Sequence, residues 1–187
     1  DQLHPAVRRW RQRRGVDQLK PEQIRRARAA YCGLVTFMDA QVGRLLQTLG
    51  GTRFAGQTAV VYVSDHGEMA GENGMWWKSS FYDGSARVPS IWSWPGRFAQ
   101  GSRVTAVTSL VDVAPTLTDL AGSPALPHAV GTSLRAMLEA GATPPGWRDS
   151  AMAEYGAAGP DERPARMVRR GPWKLIHYHG YRVPQLF

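Results

Sequence analysis

The sequence has very little cysteine, because Cys32 is its only cysteine among 187 residues. A disulfide framework within the chain is therefore excluded. Cys32 falls in a helical pattern, and we expect it to be a small buried side chain. Long apolar runs are missing too, and no segment approaches the length of a membrane span. No secretory signal is visible, but the sequence begins with Asp1, and we expect an N-terminal part to be missing.

Acidic residues are the minority among the charged side chains. The 23 Lys and Arg against 15 Asp and Glu leave a formal charge of +8, which favours anionic partners generally, nucleic acid among them. Hydrophobic residues make up 43% of the chain, enough for the core of one ordinary domain, which argues against global disorder. Near the N-terminus, Trp10 is surrounded by Arg8, Arg9, Arg11, Arg13 and Arg14. We favour a solvated connection with Trp10 packed on the main body over a nucleic-acid-binding patch.

Residues 58–89 are the most informative stretch. An uncharged run over residues 59–63, rich in β-branched side chains, predicts a strand buried on both faces, as in a parallel sheet. The run is followed by Asp65, His66 and Gly67. Open α/β sheets bind ligands just beyond the carboxyl ends of their strands, and a carboxylate beside an imidazole suits a metal. The alternative is that Asp65 caps the next turn beside an ordinary histidine.

Three blocks of this stretch resemble the sulfatases of the alkaline-phosphatase superfamily, and most of all the choline sulfatases. Those proteins carry similar Ser-Asp-His-Gly, Gly-Leu-Trp-Tyr-Lys and Gly-Ser-Ala-Arg-Val-Pro blocks. The blocks here are Ser64-Asp65-His66-Gly67, Gly74-Met75-Trp76-Trp77-Lys78 and Gly84-Ser85-Ala86-Arg87-Val88-Pro89. Their shared order and spacing carry the resemblance. It implies an α/β, alkaline-phosphatase-like sandwich of a mainly parallel sheet with flanking helices, plus a small C-terminal antiparallel sheet, of which this chain is a fragment.

Other patterns place the remaining elements. A helix should start near Pro21, present an apolar stripe and stop at Gly50-Gly51. A second strand is predicted over residues 88–94. The sequence also predicts a helix capped by Asp112 and a hairpin around Gly171-Pro172. We assign residues 1–150 to the C-terminal part of the sulfatase α/β domain. Residues 151–187 would begin the small C-terminal antiparallel subdomain.

The resemblance implies roles for individual residues. Asp65 and His66 would be two metal ligands, and Lys78 would be catalytic and contact the sulfate group. Calcium is the expected divalent metal, with manganese as the alternative, because an imidazole also admits transition metals. An ammonium held against the sulfate oxygens would stabilise the charge that develops in the transition state. The alternative for Lys78 is an ordinary surface lysine.

The nucleophile of the sulfatases is a formylglycine, made from a Cys/Ser-x-Pro-Ser/Ala-Arg motif. Cys32 does not fit, because Gly-Leu-Val-Thr follows it. Ser93 begins Ser-Trp-Pro-Gly-Arg, which has Gly where the motif has Ser or Ala. It also follows the predicted strand over residues 59–63, whereas the family's nucleophile precedes that strand. We therefore expect the formylglycine and the remaining metal ligands in a missing N-terminal part, and we expect this chain alone to be inactive.

A choline ester would need aromatic faces and a carboxylate around its quaternary ammonium. Trp76, Trp77 and Glu154 are available, and the resemblance implies that Glu154 corresponds to a substrate-facing acid of choline sulfatases. Core packing is the alternative for the tryptophans. The predicted function is metal-dependent hydrolysis of sulfate esters. A phosphonate or phosphate ester hydrolase is the first alternative, and a basic nucleic-acid-binding fragment is the less favoured one.

The expected partner is a small-molecule sulfate ester. We expect no nucleic acid and no membrane as partners, and a homo-oligomer is left open. If the protein resembles choline sulfatases in localisation as well, we expect it in the cytoplasm.

Overall fold

The computed structural model describes residues 3–156 and 164–187. Among these residues no helix is long and apolar enough to cross a membrane. Helices alternate with two short strands up to residue 140, and an antiparallel sheet follows. In chain order the elements are α1 (Pro5–Arg13), α2 (Pro21–Gly50), β1 (Val60–Val63), α3 (Asp83–Ala86), β2 (Ser90–Ser93), α4 (Val113–Leu120), α5 (Arg135–Ala140), β3 (Ser150–Tyr155), β4 (Ala165–Arg170), β5 (Trp173–Tyr178) and β6 (Gln185–Leu186).

The chain divides into two compact units. The first comprises Asp1–Thr58 and Tyr62–Ser90, and the second comprises Ala59–Val61 and Ile91–Phe187. The α/β character and the small antiparallel sheet agree with the predicted fold class. The predicted domain boundary at residue 150 stays a prediction.

Helix α2 begins at Pro21 and ends at Gly50, as predicted, with the proline in the first turn where its fixed φ suits a helix. None of the 30 residues of α2 is buried in the described part of the chain. Leu34 is 66% exposed and Leu45 is 70% exposed, although both belong to the predicted apolar stripe. Cys32 is exposed as well. The prediction of a buried cysteine is therefore wrong for this chain, because the described residues supply nothing that packs over it.

Strand β1 pairs with β2 in a two-stranded sheet. The second strand was predicted over residues 88–94 and is shorter, spanning Ser90–Ser93. Burial of β1 on both faces is not met in this chain, since its valines are half-buried and Tyr62 is 40% exposed. The physical reason is that β1 has a single neighbouring strand in the part that the structure describes. A central position in a larger sheet stays a prediction.

The second sheet has the strand order β3-β4-β5-β6, with every pairing antiparallel. The predicted hairpin around Gly171-Pro172 is confirmed, because β4 and β5 flank it in register. Alternate residues of these strands point to one buried face, where Met167 is opposite Ile176 and Ile176 is fully buried. The other face carries an apolar row of cross-strand partners, namely Met152, Val168, Leu175 and Leu186.

Asp112 occupies the N-cap position of α4, as predicted, but its side chain makes no cap bond to that helix. Instead the fully buried carboxylate accepts hydrogen bonds from the backbone N–H groups of Ser109 at 2.8 Å and Thr132 at 2.9 Å. Arg148 Nη2 donates to both carboxylate oxygens, at 2.7 Å and 2.6 Å. A buried charge is tolerated only when it is paired and hydrogen-bonded in this way. These bonds support a scaffold role for Asp112.

Candidate functional site

The two predicted metal ligands, Asp65 and His66, lie directly after β1, and we call this pair the metal corner. Asp65 Oδ2 and His66 Nε2 are 3.6 Å apart, and both side chains reach solvent, with 84% and 41% of their surface exposed. The other ring nitrogen, Nδ1, lies 2.8 Å from the carbonyl oxygen of Gly67. Because a carbonyl can only accept, this contact assigns a proton to Nδ1, and Nε2 is the nitrogen that carries the lone pair whenever the ring is neutral. A hydrogen bond to the second nitrogen is how proteins usually orient a metal-ligating histidine.

This donor set fits part of a divalent cation site. The carboxylate oxygen of Asp65 suits calcium, and the imidazole nitrogen of His66 also admits manganese and other transition metals. Within residues 3–156 and 164–187, however, no group of three or more His, Cys, Asp and Glu side chains could hold a metal ion. The corner therefore offers two ligands.

Gly67 brings the segment before β2 against this corner. Its N–H donates to the carbonyl of Ser85 at 2.8 Å. A Cβ atom on Gly67 would lie 2.1 Å from the carbonyl oxygen of Gly84, so that any side chain would force the two segments apart. Ser85 itself is only 4% exposed. The glycine of the motif is thus required by close backbone contact.

The chain then folds back on itself between Met69 and Trp77. The N–H of Met69 donates to the carbonyl of Trp77 at 2.9 Å, and the N–H of Gly71 donates to the carbonyl of Met75 at 2.8 Å. Met69 and Met75 are 0% and 1% exposed and form the core beneath the loop. These contacts anchor the block that contains Lys78 next to the block that contains His66.

Glu68 is a residue of the site that our sequence reasoning missed. Its Oε1 accepts hydrogen bonds from the N–H groups of Ala70 at 2.9 Å and Trp77 at 2.7 Å. Trp77 has φ of +62°, and a left-handed conformation of a non-glycine residue costs about 1–3 kcal/mol. The sequence does show an acid directly after the Ser-Asp-His-Gly block. Its hydrogen-bond partners could not be predicted, because they depend on the folded path of the loop.

Lys78 is exposed and follows Trp77 in the same loop. Its carbonyl accepts hydrogen bonds from the Ser85 hydroxyl and from the Ser80 N–H. Its ammonium makes no hydrogen bond or ion pair with any residue that the structure describes. The backbone of Lys78 is thus fixed in the same unit as Asp65 and His66, and its charged end is available to an anion.

The two neighbouring tryptophans differ in their surroundings. Trp76 is half-buried and packs on Gly71, where an added Cβ would lie 3.2 Å from its ring. Trp77 is 52% exposed. Its ring makes an edge contact with Trp10, at 6.1 Å between centroids. Trp10 therefore packs against Trp77, as expected, and the arginine-rich segment around it forms helix α1.

Glu154 belongs to the second unit, on strand β3. Its Oε1 is 2.9 Å from Arg166 Nε, the side chain directly opposite on β4. The Glu154 side chain is 61% exposed, so this ion pair lies in solvent. A substrate cation would have to compete with Arg166 for the carboxylate.

Comparisons with known proteins give a consistent result. A family model described as sulfatase matches residues 3–123. A second model, described as N-sulphoglucosamine sulphohydrolase, C-terminal, matches residues 71–185. The choline-sulfatase of Rhizobium meliloti (strain 1021) is 40% identical over 159 residues, which cover 83% of this chain and 30% of that protein.

Two solved structures share the fold. One is a complex with its substrate D-glucosamine-2-N,6-O-disulfate; it has a TM-score of 0.77 and 33% identity, over 82% of this chain and 32% of that one. The other is the phosphonate monoester hydrolase from Silicibacter pomeroyi, with a TM-score of 0.80 and 31% identity, over 92% of this chain and 37% of that one. The chain thus spans about a third of the length of the proteins it matches, 30% to 37% in these three cases.

Proposed function

The chain belongs to the sulfatase family, and from this premise we propose that the full-length protein hydrolyses sulfate esters with the help of a divalent cation. One observation carries the proposal. Asp65 Oδ2 and His66 Nε2 converge at 3.6 Å, while His66 Nδ1 is committed to the Gly67 carbonyl. This is the arrangement expected of two adjacent metal ligands.

Each residue then has a defined role. Asp65 and His66 would hold the cation, with calcium expected and manganese as the alternative. A bound cation would supply electrostatic stabilisation to the oxygens of the ester. Lys78 would place its ammonium against the sulfate oxygens and gain strength as negative charge develops on them. We expect the formylglycine nucleophile and the other ligands in the remainder of the protein.

The organic part of the substrate is the finer question. The name of the Rhizobium meliloti relative points to choline, whose quaternary ammonium prefers aromatic faces. Trp77 has an exposed ring and is a candidate for such a face, whereas Trp76 is packed on Gly71. Glu154 is a second candidate, provided that it leaves Arg166. A small-molecule sulfate ester is the substrate class that we propose.

Phosphonate monoester hydrolysis is a second candidate, because a hydrolase of that kind shares the fold at a TM-score of 0.80 and 31% identity. A cation at Asp65 and His66 and an ammonium at Lys78 would serve phosphonate oxygens as well as sulfate oxygens. The corner alone does not distinguish the two tetrahedral groups.

The experiment is a substrate panel with the full-length protein: choline sulfate, an aryl sulfate and a phosphonate monoester, before and after removal of metal. We expect sulfate-ester turnover that chelation abolishes and added cation restores. Asp65→Asn and His66→Gln should each lower turnover by about 10²-fold or more. Asp17→Asn, an exposed acid outside the loop, should match the unchanged protein. Preferential cleavage of the phosphonate would favour the second candidate, and turnover unaffected by chelation would overturn the metal role.

A further inference from the structure

Hydrogen bonds hold Lys78 from both sides of its backbone. On the N-terminal side, Glu68 Oε1 accepts from the N–H of Trp77 at 2.7 Å, and the Trp77 carbonyl accepts from the N–H of Met69 at 2.9 Å. These bonds join Trp77, the residue before Lys78, to the two residues that follow Gly67. The left-handed conformation of Trp77, at φ of +62°, is kept in place by these bonds.

On the C-terminal side, the Ser85 hydroxyl donates to the carbonyl of Lys78. The Ser85 carbonyl in turn accepts from the N–H of Gly67 at 2.8 Å. Ser85 is only 4% exposed, so its hydroxyl does not exchange this bond readily for water. A single buried residue therefore links the metal corner to Lys78.

These contacts close a ring that we call the Lys78 clamp: Gly67, Glu68, Trp77, Lys78 and Ser85. We propose that Glu68 and Ser85 are positioning residues, which set the backbone of Lys78 relative to Asp65 and His66. Neither is proposed to touch the sulfate group. The inference rests on the proposed role of Lys78 in sulfate-ester hydrolysis and deepens it.

The clamp answers a physical need. The lysine side chain has a flexible stem, so the position of its Cα limits the positions that its ammonium can reach. A catalytic group displaced by about 1 Å can cost about 10²-fold in rate. Lys78 has no side-chain partner among the described residues that could hold its ammonium in place. Control of its position must therefore come from the backbone, which is what Glu68 and Ser85 hold.

Glu68 can be tested with a matched pair of substitutions in the full-length protein. Glu68→Gln keeps a carbonyl oxygen that can accept from both N–H groups, whereas Glu68→Ala removes it. We expect Glu68→Ala to lower kcat by about 10- to 10²-fold, with a smaller change in KM, and Glu68→Gln to stay within about threefold of the unchanged protein. A Glu68→Gln variant as slow as Glu68→Ala would show that the negative charge itself is needed and would overturn the positioning role.

Ser85 is tested through Lys78. Ser85→Ala should lower kcat by itself and should have no further effect in a protein that already carries Lys78→Ala, because its action passes through that lysine. Metal affinity, measured by calorimetry, should stay within about twofold, since the Gly67 bond uses the backbone of Ser85. Equal losses in the two backgrounds, or a loss of metal affinity, would identify Ser85 as a general structural residue and overturn the inference.

A readout without turnover separates this inference from the proposed reaction. Inorganic sulfate is titrated into the metal-loaded protein by calorimetry. Binding should depend on Lys78, weaken in Glu68→Ala and Ser85→Ala, and persist in Glu68→Gln. Sulfate binding of this pattern without ester cleavage would support the clamp and contradict the proposed function. Sulfate binding that none of these variants changes would overturn the clamp, whatever the turnover.

Discussion

At the scale of single residues, the ring of His66 shows how one hydrogen bond prepares a ligand. The Gly67 carbonyl accepts from Nδ1, so that Nε2 is the ring nitrogen left on the side of Asp65. The backbone N–H of His66 also donates to Asp65 Oδ1 at 3.0 Å, which leaves Oδ2 for a cation. Both potential ligand atoms are thus selected by bonds made within three consecutive residues.

Lys78 and Asp65 should be distinguishable by their response to metal. Lys78→Ala should lower kcat by about 10²–10³-fold, the typical loss of one preorganised donor, and added metal should not restore it. Asp65→Ala should be at least as damaging but partly restored by excess cation. Lys78→Arg should recover only part of the rate, because a flat guanidinium places its donors differently. The measurement is sulfate-ester turnover across a metal titration, and near-normal turnover of Lys78→Ala would mark it as an ordinary surface lysine.

The exposed ring of Trp77 should discriminate between substrates. If it faces a quaternary ammonium, Trp77→Leu should raise KM for choline sulfate by about 5- to 30-fold, corresponding to about 1–2 kcal/mol of cation–π interaction. KM for an uncharged aryl sulfate should change much less. Trp76→Leu is the matched control, because that ring packs on Gly71 and should affect stability more than KM. An equal rise in KM for both substrates would contradict the cation-binding role.

At the scale of elements, the site depends on two loops that touch through their backbones. The loop after β1 and the segment around α3 meet at Gly67 and Gly84, with no room for a side chain between them. The buried residues of this loop include Met69 and Met75, which are long and unbranched and therefore fill irregular space. The motif blocks are thus spaced by packing requirements as well as by chemistry.

Gly67→Ala should be destabilising for this reason. A Cβ at 2.1 Å from the Gly84 carbonyl must displace one of the two segments, and crowding of this kind costs about 1–3 kcal/mol. Gly56→Ala is the matched control in the same unit, since nothing lies within 4 Å of its Cβ position; there the loss of backbone freedom in the unfolded chain favours alanine by about 0.4–1 kcal/mol. Urea denaturation of the two variants measures the difference, and equal stabilities would contradict the close contact.

The carboxylate of Asp119 on α4 is hydrogen-bonded to Ser133 and to Arg135 on α5, and its charge depends on pH. The Ser133 hydroxyl donates to Asp119 Oδ2 at 2.6 Å, and Arg135 Nη1 donates to Oδ1 at 3.2 Å. Chiefly the Ser133 bond, and secondarily Arg135, lower the pKa of Asp119 below its ordinary value of 3.8. Because the folded state holds the carboxylate charged, its contribution is present above that value and is lost as the pH falls through the lowered pKa.

Asp119→Asn should therefore reduce the free energy of unfolding at neutral pH, by less than about 1 kcal/mol because the pair is partly exposed. The deficit should shrink as the pH falls below about 4. Chemical denaturation at a series of pH values measures it. A deficit that stays constant down to about pH 2 would show that the carboxylate charge is not what stabilises the pair.

At the scale of the whole molecule, large apolar side chains are exposed on helix α2 and on the C-terminal sheet. Phe37 and Leu45 are 64% and 70% exposed on the helix, and Met152 and Leu186 are 66% and 63% exposed on the sheet. Apolar surface of this extent normally marks an interface. Since the chain spans 30% of the length of the Rhizobium meliloti relative, we expect the rest of a longer protein to cover these faces.

The chain of residues 1–187 by itself should bind metal poorly. Among residues 3–156 and 164–187, Asp65 and His66 are the ligands at the corner, whereas calcium takes about 6–8 oxygen ligands, so we expect a Kd weaker than about 10⁻⁴ M. The full-length protein should bind at least tenfold more tightly. Calorimetric titration with Ca²⁺ and Mn²⁺ compares the two, and tight stoichiometric binding by the chain alone would contradict the two-ligand corner.

Local and periodic signals were sufficient for much of this protein. Helix α2 follows from Pro21, an apolar period and Gly50, and the hairpin follows from Gly171-Pro172. The family follows from three short blocks at a characteristic spacing. Asp65 and His66 are neighbours in sequence, so their proximity required no knowledge of the fold. Such features depend on interactions within a few residues, and a sequence displays these directly.

The folded chain was needed to establish which residues hold Lys78, how Trp76 and Trp77 differ, and which partner Glu154 has. Glu68 meets Trp77 nine residues later, and Ser85 meets Lys78 seven residues earlier, across a loop whose path no periodic pattern encodes. The burial of α2 and β1 was misjudged for a related reason. An apolar pattern states that a face avoids water, but what covers that face depends on segments far away in the chain or outside it.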